Sequence, residues 1–516
     1  MSRRVILAHD LGTSSNKAAL VAESGEVLAT ASASYPLLTP APAWVEQDPS
    51  AWWDAVRVTS QALVAGRAVP PEAIAGVAFA SQMQCVLPVD AAGHPLGFAM
   101  SWLDGRAARE AAALTGGLVR VLGYGALALA RWLWLTNGAP SLSGRDPLCR
   151  MVWLRERQPD VWARTATLFD AKDYLIFRAT GRRVTSYDRG NVTWLMDARD
   201  GRLCWSPSLL ARAGIPADRL PALQPCASLA GTLTPAAAAE LGVPPGLPVT
   251  TGAGDVTAAT IGAGALAAGH LHVGIGTSAW VTTHVARRCV DPCAYTGSIR
   301  SAHPRRHLLI GHSKTGGAAV EWARTRLALG TAPTPRDVDE AAARSAPGAG
   351  GVLFAPWLTG EAAPLDDPFV RGGFLNLSLT TEPTHLARAV LEGVALNLRW
   401  IVGRVARLAG PSARPVRVAG GGAASDVWCQ ILADVLGRPV ERVADPGFAA
   451  ARGAALIALV AQGLVKDFDD LERRAPVARR FDPRAALAPL HDDQFARLRD
   501  AYRRTRGWFA RVNRPG

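Results

Sequence analysis

Lysine is scarce in this chain, although the chain is basic overall. Only four of its 56 lysine and arginine residues are lysines, and the formal net charge is +13. The basic residues occur singly or in pairs along the whole length, without a basic stripe interleaved with aromatic residues. A nucleic-acid-binding surface needs such clustering, so the sequence argues against a nucleic-acid partner.

The chain also lacks a disulfide framework and a long apolar run. Its seven cysteines are an odd number scattered through 516 residues, which predicts reduced thiols in a cytoplasmic protein. No stretch of about 18 apolar residues is free of charge, so we expect no membrane span. The few apolar residues before Asp10 are too short a run for a signal peptide.

What the chain has is enough apolar sequence for two buried cores. Its length exceeds that of one ordinary domain, and 49% of its residues are apolar. Residues 241–248, LGVPPGLP, are rich in proline and glycine and predict a domain boundary. We therefore expect domains at 1–247 and 248–516.

Residues 8–17, AHDLGTSSNK, place a glycine and three hydroxyl residues between two apolar runs. This pattern predicts a hairpin turn. Its backbone N–H groups and the hydroxyls of Thr13, Ser14 and Ser15 can surround one anion. Asp10, at the mouth of the turn, suits a hydrated Mg²⁺. Taken alone, the stretch is better interpreted as an ordinary polar hairpin.

The same pattern recurs in the second half of the chain. Residues 275–278, IGTS, repeat residues 11–14, LGTS, and Gly274 stands where the first copy has Asp10. Two phosphate-type hairpins, of which only one carries an acid, predict two related halves around one nucleotide–metal complex.

Two loops in the first half can bind a ligand. Residues 81–85, SQMQC, follow a predicted strand, at the strand end where open α/β sheets bind ligands. Residues 101–106 bring Trp102, Asp104 and Arg106 close together, so that they can stack on and hydrogen-bond a polyol. A surface aromatic beside a local ion pair explains the second loop equally well.

The second half contains three more strand ends of this kind. Asp255 is predicted to end a strand and to cap a helix, and residues 315–317 precede another predicted helix. A predicted strand at 416–419 runs into three glycines at 420–422 and then into a helix at about 426–436. A strand, a glycine-rich turn and a helix let the backbone approach a nucleotide.

In this order the motifs resemble those of the FGGY carbohydrate kinases, and among them most of all the xylulokinases. The resemblance extends from Asp10 to about residue 455. The matching segments are DLGTSS at 10–15, WVEQDP at 44–49 with Trp52 and Trp53, W-x-D-x-R at 102–106, KDY at 172–174, GD at 254–255, GTS at 276–278, GGGA at 420–423, and the late signature from Gly372 to HLARAVLE at 385–392.

The resemblance implies an α/β fold of two actin-like (ribonuclease H-like) ATPase domains with an inter-domain active-site cleft. It implies ATP and Mg²⁺ as cofactors, a sugar as the acceptor and, by analogy alone, a homodimer. Residues 1–247 would carry the sugar site and the first phosphate loop. Residues 248–516 would carry the catalytic aspartate, the second phosphate loop and the adenosine site.

The matching motifs also imply residue roles. Asp255 would be the catalytic base, and Asp10 would be catalytic through the metal that it orients. The substrate would contact Asp255 and five residues of the two polyol loops: Gln82, Met83, Gln84, Trp102 and Asp104. The nucleotide would be bound by Gly12, Thr13, Ser14, Ser15, Gly276, Thr277, Ser278, Gly317, Glu321, Gly421 and Gly422.

Two departures from the xylulokinase pattern fall in the implied sugar pocket. Gln84 replaces a histidine, and Val256 replaces an asparagine or glutamine; both would contact the sugar. The ATP motifs are nearly intact, so the resemblance supports kinase activity more strongly than it supports D-xylulose. D-xylulose is the expected acceptor, with L-ribulose or erythritol as alternatives. The Arg-Glu pair that glycerol kinases carry in the first loop is absent, which argues against glycerol. The alternative from another class is a non-catalytic ATP-binding protein with the actin-like fold.

Overall fold

The computed structural model of the chain describes residues 4–327, 330 and 332–513. Its first half is built on a mixed β-sheet that begins as a three-stranded meander. In spatial order the strands are Leu229–Thr232, Pro248–Thr250, Ile74–Ser81, Val5–Leu11, Ser15–Ala22 and Val27–Ser34, and Ala253–Gly254 also pairs with Ile74–Ser81.

The second half repeats this plan in a larger sheet. In spatial order its strands are Val290–Asp291, Thr296–Arg300, His307–Ser313, Ala279–Val285, His272–Ile275, Val416–Ala419, Val440–Val443 and Val477–Phe481. In each sheet the first strand of the predicted hairpin, Val5–Leu11 or His272–Ile275, is antiparallel to the second strand of the hairpin. That first strand also pairs in parallel with a later strand. The sequence repeat, LGTS at 11–14 and IGTS at 275–278, thus corresponds to a repeated arrangement of strands.

The chain passes from the first sheet to the second at a later position than the proline- and glycine-rich segment 241–248 suggests. Pro248–Thr250 and Ala253–Gly254 pair with strands of the first sheet, and the second sheet starts at His272. The division into domains at residues 247 and 248 stays a prediction. Proline and glycine mark a turn there, but they do not show which sheet the next strand joins.

Short strand pairs lie outside the two sheets. They are Glu46–Gln47 with Ala99–Met100, Leu87–Val89 with Thr167–Phe169, Arg120–Val121 with Tyr124–Gly125, Val184–Ser186 with Ala222–Gln224, Met196–Asp197 with Cys204–Trp205, and Leu353–Ala355 with Gly373–Leu375.

Helices cover the sheets and fill the segments between the strands. They are α1 (Pro49–Ala65), α2 (Ala108–Thr115), α3 (Ala126–Thr136), α4 (Pro147–Arg157), α5 (Pro159–Arg164), α6 (Ala171–Thr180), α7 (Tyr187–Asn191), α8 (Pro207–Ala213), α9 (Pro235–Leu241), α10 (Asp255–Gly262), α11 (Gly317–Arg326), α12 (Pro335–Arg344), α13 (Pro383–Ala409), α14 (Asp426–Leu436), α15 (Ala449–Ala461) and α16 (Ala488–Asn513). Within the part of the chain described, no helix is both long and apolar enough to cross a membrane.

Local sequence explains where several helices begin and end. Asp48 accepts a hydrogen bond from the Ser50 amide (2.8 Å) and caps α1, with Pro49 in the first turn. The apolar stripe of α13 packs into the largest buried cluster, and the helix is capped at its C-terminal end by Gly410. The helix predicted at about 426–436 is α14.

Helices α10 and α15 cross where the two halves meet. Together with strands of the first sheet they form one buried cluster, although α15 follows a strand of the second sheet. At the crossing, a Cβ on Gly453 would overlap the carbonyl oxygen of Ala258, and a Cβ on Gly262 would overlap that of Ala449. Arg452, which is fully buried, donates to Gly25 O (3.1 Å) and Gly262 O (3.3 Å) beside the crossing.

Candidate active site

A cavity of about 740 Å³ lies between the two sheets, and both predicted phosphate hairpins open into it. Thirteen of the predicted site residues line the cavity: Asp10, Gly12, Thr13, Ser14, Gln82, Met83, Gln84, Trp102, Asp255, Gly276, Thr277, Ser278 and Gly421. Five do not: Ser15, Asp104, Gly317, Glu321 and Gly422. Residues far apart in the sequence therefore meet in one space of a size that suits small-molecule ligands.

In the first hairpin the carbonyl groups are held from outside the turn. The Gln47 side-chain amide donates to Thr13 O (2.6 Å), the Tyr35 amide donates to Ser14 O (3.0 Å), and the Tyr35 hydroxyl donates to Gly12 O. Because the carbonyls are engaged away from the cavity, the turn can present N–H and hydroxyl groups to an anion. Ser15 begins the next strand and accepts from the Gly12 amide (2.9 Å), so it closes the turn.

The second hairpin is held by the start of α11. The Gly317 amide donates to Gly276 O (2.7 Å) and the Gly316 amide to Thr277 O (2.9 Å). A Cβ on Gly317 would lie 2.8 Å from Gly276 O, so glycine is required there by the hairpin. Gly317 thus contacts the second phosphate hairpin, and its part in nucleotide binding stays a prediction.

Glu321 and the glycines at 420–422 differ in how they lie relative to the cavity. Glu321 is exposed on α11 and ion-paired with Arg324, which places it away from the lining. Gly420 has φ +92°, and a Cβ on it would overlap the backbone of Ile275. Gly421 lines open space, while a Cβ on Gly422 would meet Ile275 and Trp428. Of the three, Gly420 and Gly421 border the cavity.

Asp10 and Asp255 put two carboxylates of raised pKa into this cavity. Burial, and then the negative charge of Asp10, raise the pKa of Asp255 to about 7. Burial raises the pKa of Asp10 to about 6 against the opposing effect of Lys17. A carboxylate that titrates near neutral pH can accept a proton from a hydroxyl during a reaction.

The backbone around Asp255 is fixed by buried charges. Asp188 accepts from the Gly254 amide (2.8 Å), and the Lys172 ammonium donates to Thr251 O (2.9 Å). Asp255 is the first residue of α10 and Gly254 is the capping residue, so the predicted capping role of Asp255 is wrong. Its Oδ1 accepts only the adjacent Val256 amide (2.8 Å) among the hydrogen bonds that the structure gives that side chain.

The loop 82–85 is held by a second set of buried acids. Asp170 accepts from the amides of Gln84 (2.8 Å) and Cys85 (3.2 Å) and pairs with Arg189. The Gln84 side-chain amide donates to Asp146 Oδ1 (3.3 Å), and Gln84 has φ +72°. This anchoring turns the loop into the cavity, where Met83 packs against Gly254 beside Asp255.

Trp102 and Asp104 separate in the structure. Trp102 lines the cavity and donates its indole N–H to Thr13 Oγ1 (3.0 Å), which joins the predicted sugar loop to the phosphate hairpin. Asp104 is fully buried, accepts from the Val45 amide (2.7 Å) and pairs with Arg106 (2.7 Å). Its carboxylate is engaged by the protein, as in the local ion pair considered as an alternative, and its contact with the substrate stays a prediction.

A divalent metal fits beside Asp10. Asp10 Oδ1 is buried without a hydrogen-bond partner among the described residues, and the carboxylate faces the same space as the phosphate hairpin. No group of three or more potential metal ligands occurs in the described part of the chain. One carboxylate suits Mg²⁺, which keeps several water ligands and binds through one or two protein oxygens with phosphates.

Sequence reasoning missed the residues that support the loops. Gln47, Asp170 and Asp188 are buried polar side chains that hold, in turn, the first hairpin, the loop 82–85 and the residue before Asp255. Gln47 lies in the WVEQDP segment, so its motif marked it without showing its contacts. Nothing local marks Asp170 and Asp188, because their partners lie 86 and 66 positions away.

Two family models match the chain. The N-terminal domain of the FGGY family of carbohydrate kinases matches residues 5–262, and the C-terminal domain matches residues 271–462. The chain belongs to the FGGY family of carbohydrate kinases. The predicted fold, two actin-like domains, and the predicted class of enzyme, a carbohydrate kinase, are thereby confirmed.

Relatives of this FGGY kinase differ in the acceptor that their names give. It is 34% identical to a glycerol kinase of Alkalilimnicola ehrlichii over 98% of this chain and 99% of that one. It is 30% identical to a gluconokinase of Bacillus subtilis over 90% and 89%. A crystal structure of xylulose kinase from Rhodospirillum rubrum matches with a TM-score of 0.84 and 28% identity, covering 98% of this chain and 100% of that one.

Proposed function

We propose that this kinase transfers the γ-phosphoryl group of ATP to a hydroxyl of an uncharged ketose or polyol. A pentulose such as D-xylulose is the expected acceptor, and L-ribulose or erythritol are the alternatives. One observation carries the proposal: Asp255, with its raised pKa, lies in the same cavity as both phosphate hairpins and the loop 82–85.

In this proposal Asp255 is the general base. The acceptor hydroxyl oxygen attacks the γ-phosphorus, its proton passes to an Asp255 carboxylate oxygen, and the bond from the γ-phosphorus to the ADP oxygen breaks. The products are a phosphate ester and ADP. Phosphoryl transfer depends mainly on alignment and charge stabilisation. The Thr13 and Thr277 turns would hold the phosphates in line with the hydroxyl.

Asp10 would hold Mg²⁺ through its free Oδ1, directly or through a water ligand. When bound, Mg²⁺ neutralises charge on the phosphates. Lys17 lies across the hairpin from Asp10, lines the cavity and adds a positive charge there. Exclusion of water on domain closure would limit ATP hydrolysis without an acceptor.

The charges of the cavity favour an uncharged acceptor over a sugar acid. Among the described residues that line the cavity, Lys17 is the sole lysine or arginine, and it lies on the side of Asp10. Two histidines of the lining, His272 and His312, have their pKa lowered to about 3 by burial and are neutral at pH 7. Arg150 and Arg189 donate to backbone oxygens of the loop 82–85 but do not line the cavity. A gluconate carboxylate would therefore meet Asp10 and Asp255 without a lining cation on the side of that loop.

A panel of acceptors tests this proposal. ADP release is measured with ATP, Mg²⁺ and, in turn, D-xylulose, L-ribulose, erythritol, glycerol and D-gluconate, and the phosphorylated product is identified. We expect uncharged acceptors to give the higher kcat/KM values. Gluconate as the best acceptor, or ADP release that does not depend on an acceptor, would contradict the proposal.

The rate is expected to depend on pH through the two carboxylates. With both substrates below their KM values, the rate should rise with pH and level off above about pH 7, because burial and Asp10 raise the pKa of Asp255 to about 7 and the base must be ionised. Below about pH 6 the fall should steepen, because the pKa of Asp10 is raised to about 6. A pH–rate profile measures both limbs.

An Asp10→Asn variant serves as the comparison for this profile. It removes one negative charge that raises the pKa of Asp255, so its residual activity should reach half-maximum at a lower pH than that of the wild type. A midpoint that does not move would contradict the proposed coupling between the two carboxylates.

A Gln47→Leu variant is expected to raise KM for ATP by about tenfold, since a buried hydrogen bond lost from one side is worth roughly 1–3 kcal/mol. The substitution removes the bonds from Gln47 to Thr13 O (2.6 Å) and from Gln82 to Gln47 (2.8 Å). The hairpin carbonyl is then free to turn toward the phosphates. Steady-state kinetics with ATP varied measures this effect.

Gln61→Leu is the matched control. Gln61 also donates its side-chain amide to a backbone carbonyl, that of Glu240 (2.9 Å), but on the exposed face of α1. We expect its KM for ATP to equal that of the wild type. Equal KM values for both variants would rule out a positioning role for Gln47.

A further inference from the structure

One side of the cavity near Asp255 is apolar. Six side chains from both halves of the chain line the cavity and pack around the buried Leu308, and we call them the apolar wall. They are Met83, Val192, Val256, Trp280, Ile299 and Ile310. The wall begins directly at Asp255, because Val256 is the next residue and Met83 packs on Gly254.

The centre of the wall, formed by Val256, Ile299 and Ile310, has no hydrogen-bonding side chain. At its edge Trp280 stacks on the ring of His312 with 4.0 Å between centroids, and His312 Nε2 is buried without a hydrogen-bond partner among the described residues. Asn137, close to Ile299 in the lining, uses its side-chain amide on Cys289 O (2.9 Å) and Ser298 O (2.8 Å). A hydroxyl that faces Val256, Ile299 or Ile310 would therefore lose its water without gaining a partner.

The other side of the same space is polar. Gln82 has a buried Oε1 without a hydrogen-bond partner among the described residues, while its amide is used by Gln47. Gln84 and Trp102 also line this side. Hydroxyls along one edge of an acceptor can therefore donate to Gln82 Oε1 and to Asp255.

A site with one polar and one apolar side selects for an acceptor of the same kind. Burying a hydroxyl without a partner is unfavourable, whereas a CH₂ or CH₃ group on the same surface is favourable. In the xylulokinases that the sequence resembles, the position of Val256 carries an amide side chain. Here it is a valine that is 7% exposed, so the acceptor group facing it gains nothing from being a hydroxyl.

We infer that the acceptor of this kinase is a deoxy ketose or deoxy polyol, with hydroxyls along one edge and a CH₂ or CH₃ carbon against the apolar wall. This inference rests on the proposed function, because it concerns the acceptor of the same reaction. Val256 is then the residue that determines specificity, since it joins the wall to the first turn of α10.

The test compares acceptors that differ by one oxygen atom. Purified full-length kinase with ATP and Mg²⁺ is given D-xylulose or 1-deoxy-D-xylulose, and glycerol or propane-1,2-diol, and kcat/KM is measured for each. The deoxy member of a pair is expected to be preferred by about 10–100-fold, the range in which an apolar pocket discriminates against an added hydroxyl.

A Val256→Asn variant tests whether the apolar wall causes the preference for deoxy acceptors. It restores an amide, and its ratio of deoxy to fully hydroxylated kcat/KM should fall by at least about tenfold. Val402→Asn is the matched control, because Val402 is also a helical valine with 8% exposure and lies in α13 outside the cavity. That variant should keep the wild-type ratio. If Val256→Asn does not fold, Val256→Thr adds a hydroxyl with almost the same shape.

The outcomes separate the inference from the proposed function. If the fully hydroxylated member is preferred in each pair that reacts, the inference is contradicted, but the proposed kinase function is not. A wild-type ratio in both Val256 variants contradicts the role of Val256. If no acceptor of either kind yields a phosphate ester, the proposed function fails, and the inference fails with it.

Discussion

An Asp255→Asn variant is expected to lose about 10²–10⁴-fold in kcat, the range of general acid–base catalysis, while its affinity for ATP stays the same. Asparagine keeps the size of the side chain and can still accept from the Val256 amide, which is the hydrogen bond that Asp255 makes (2.8 Å). It cannot take up the proton of the acceptor hydroxyl. Phosphate-ester formation measures kcat, and ATP binding is measured separately by calorimetry.

Asp160→Asn is the control for this variant. Asp160 also lies in the first turn of a helix, α5, but on the surface outside the cavity. Its kcat should remain within about twofold of the wild type, since surface substitutions rarely have larger effects. If Asp255→Asn keeps more than a tenth of the wild-type kcat, another group takes the proton and Asp255 serves the structure alone.

The same substitution should stabilise the protein above neutral pH. Because the pKa of Asp255 is raised from 3.8 to about 7 by burial and by Asp10, the folded state binds a proton more tightly than the unfolded state between these values. The free energy of unfolding therefore falls as pH rises through this window. The Tm of the Asp255→Asn variant should exceed that of the wild type most at pH 8, and the difference should vanish toward pH 4.

The sequence was most informative where chemistry depends on the backbone of a few consecutive residues. The two turns at 12–14 and 276–278 could be located from glycine and hydroxyl residues between apolar runs, and both line the cavity. A hairpin is a local structure, so its sequence carries most of its conformation. The position of Asp255 at the start of a helix was predictable for the same reason, to within one residue.

Contacts between distant residues were the part that the sequence did not reveal. Asp104 was expected at the sugar because it lies two residues from Trp102, but its carboxylate turns away to Arg106 and to the amide of Val45. Gly317 was expected at the nucleotide, and its contact with Gly276 of the second phosphate hairpin was not foreseen. In both cases the partner is set by the packing of separate segments, which spacing within one segment does not encode.

The apolar wall is another feature that the sequence alone does not reveal. The sequence singled out Val256 as an unusual residue, and that alone does not say whether the pocket is polar elsewhere. The answer depends on Ile299 and Ile310, which lie on neighbouring strands of the second sheet, and on Val192 from the first half. Val256 forms part of an apolar surface only because these side chains lie beside it in the same cavity.

A Gly453→Ala variant is expected to lower the free energy of unfolding by at least the ~1–3 kcal/mol typical of an overpacked core. The added methyl group would overlap the carbonyl oxygen of Ala258, and backbone atoms of a packed helix cannot move aside as a flexible side chain can. Helices α10 and α15 must separate. The Tm of the variant should fall by several degrees in a thermal unfolding measurement.

Gly403→Ala is the control, because Gly403 is an exposed glycine inside α13 and a Cβ there meets no atom within 4 Å. Alanine should stabilise that helix by roughly 0.5–1 kcal/mol, so the same substitution has opposite signs at the two positions. Equal Tm changes would contradict the close crossing.

The crossing also links stability to catalysis, because α10 begins with Asp255 and crosses α15 one to two turns later, near Ala258 and Gly262. If α15 pushes α10 away, Asp255 moves relative to the phosphate hairpins, and a displacement of about 1 Å can cost roughly 100-fold in rate. Gly453→Ala should therefore lose kcat even well below its Tm, with KM for ATP little changed. Unchanged kcat beside a lowered Tm would mean that Asp188 and Lys172 alone fix the position of Asp255.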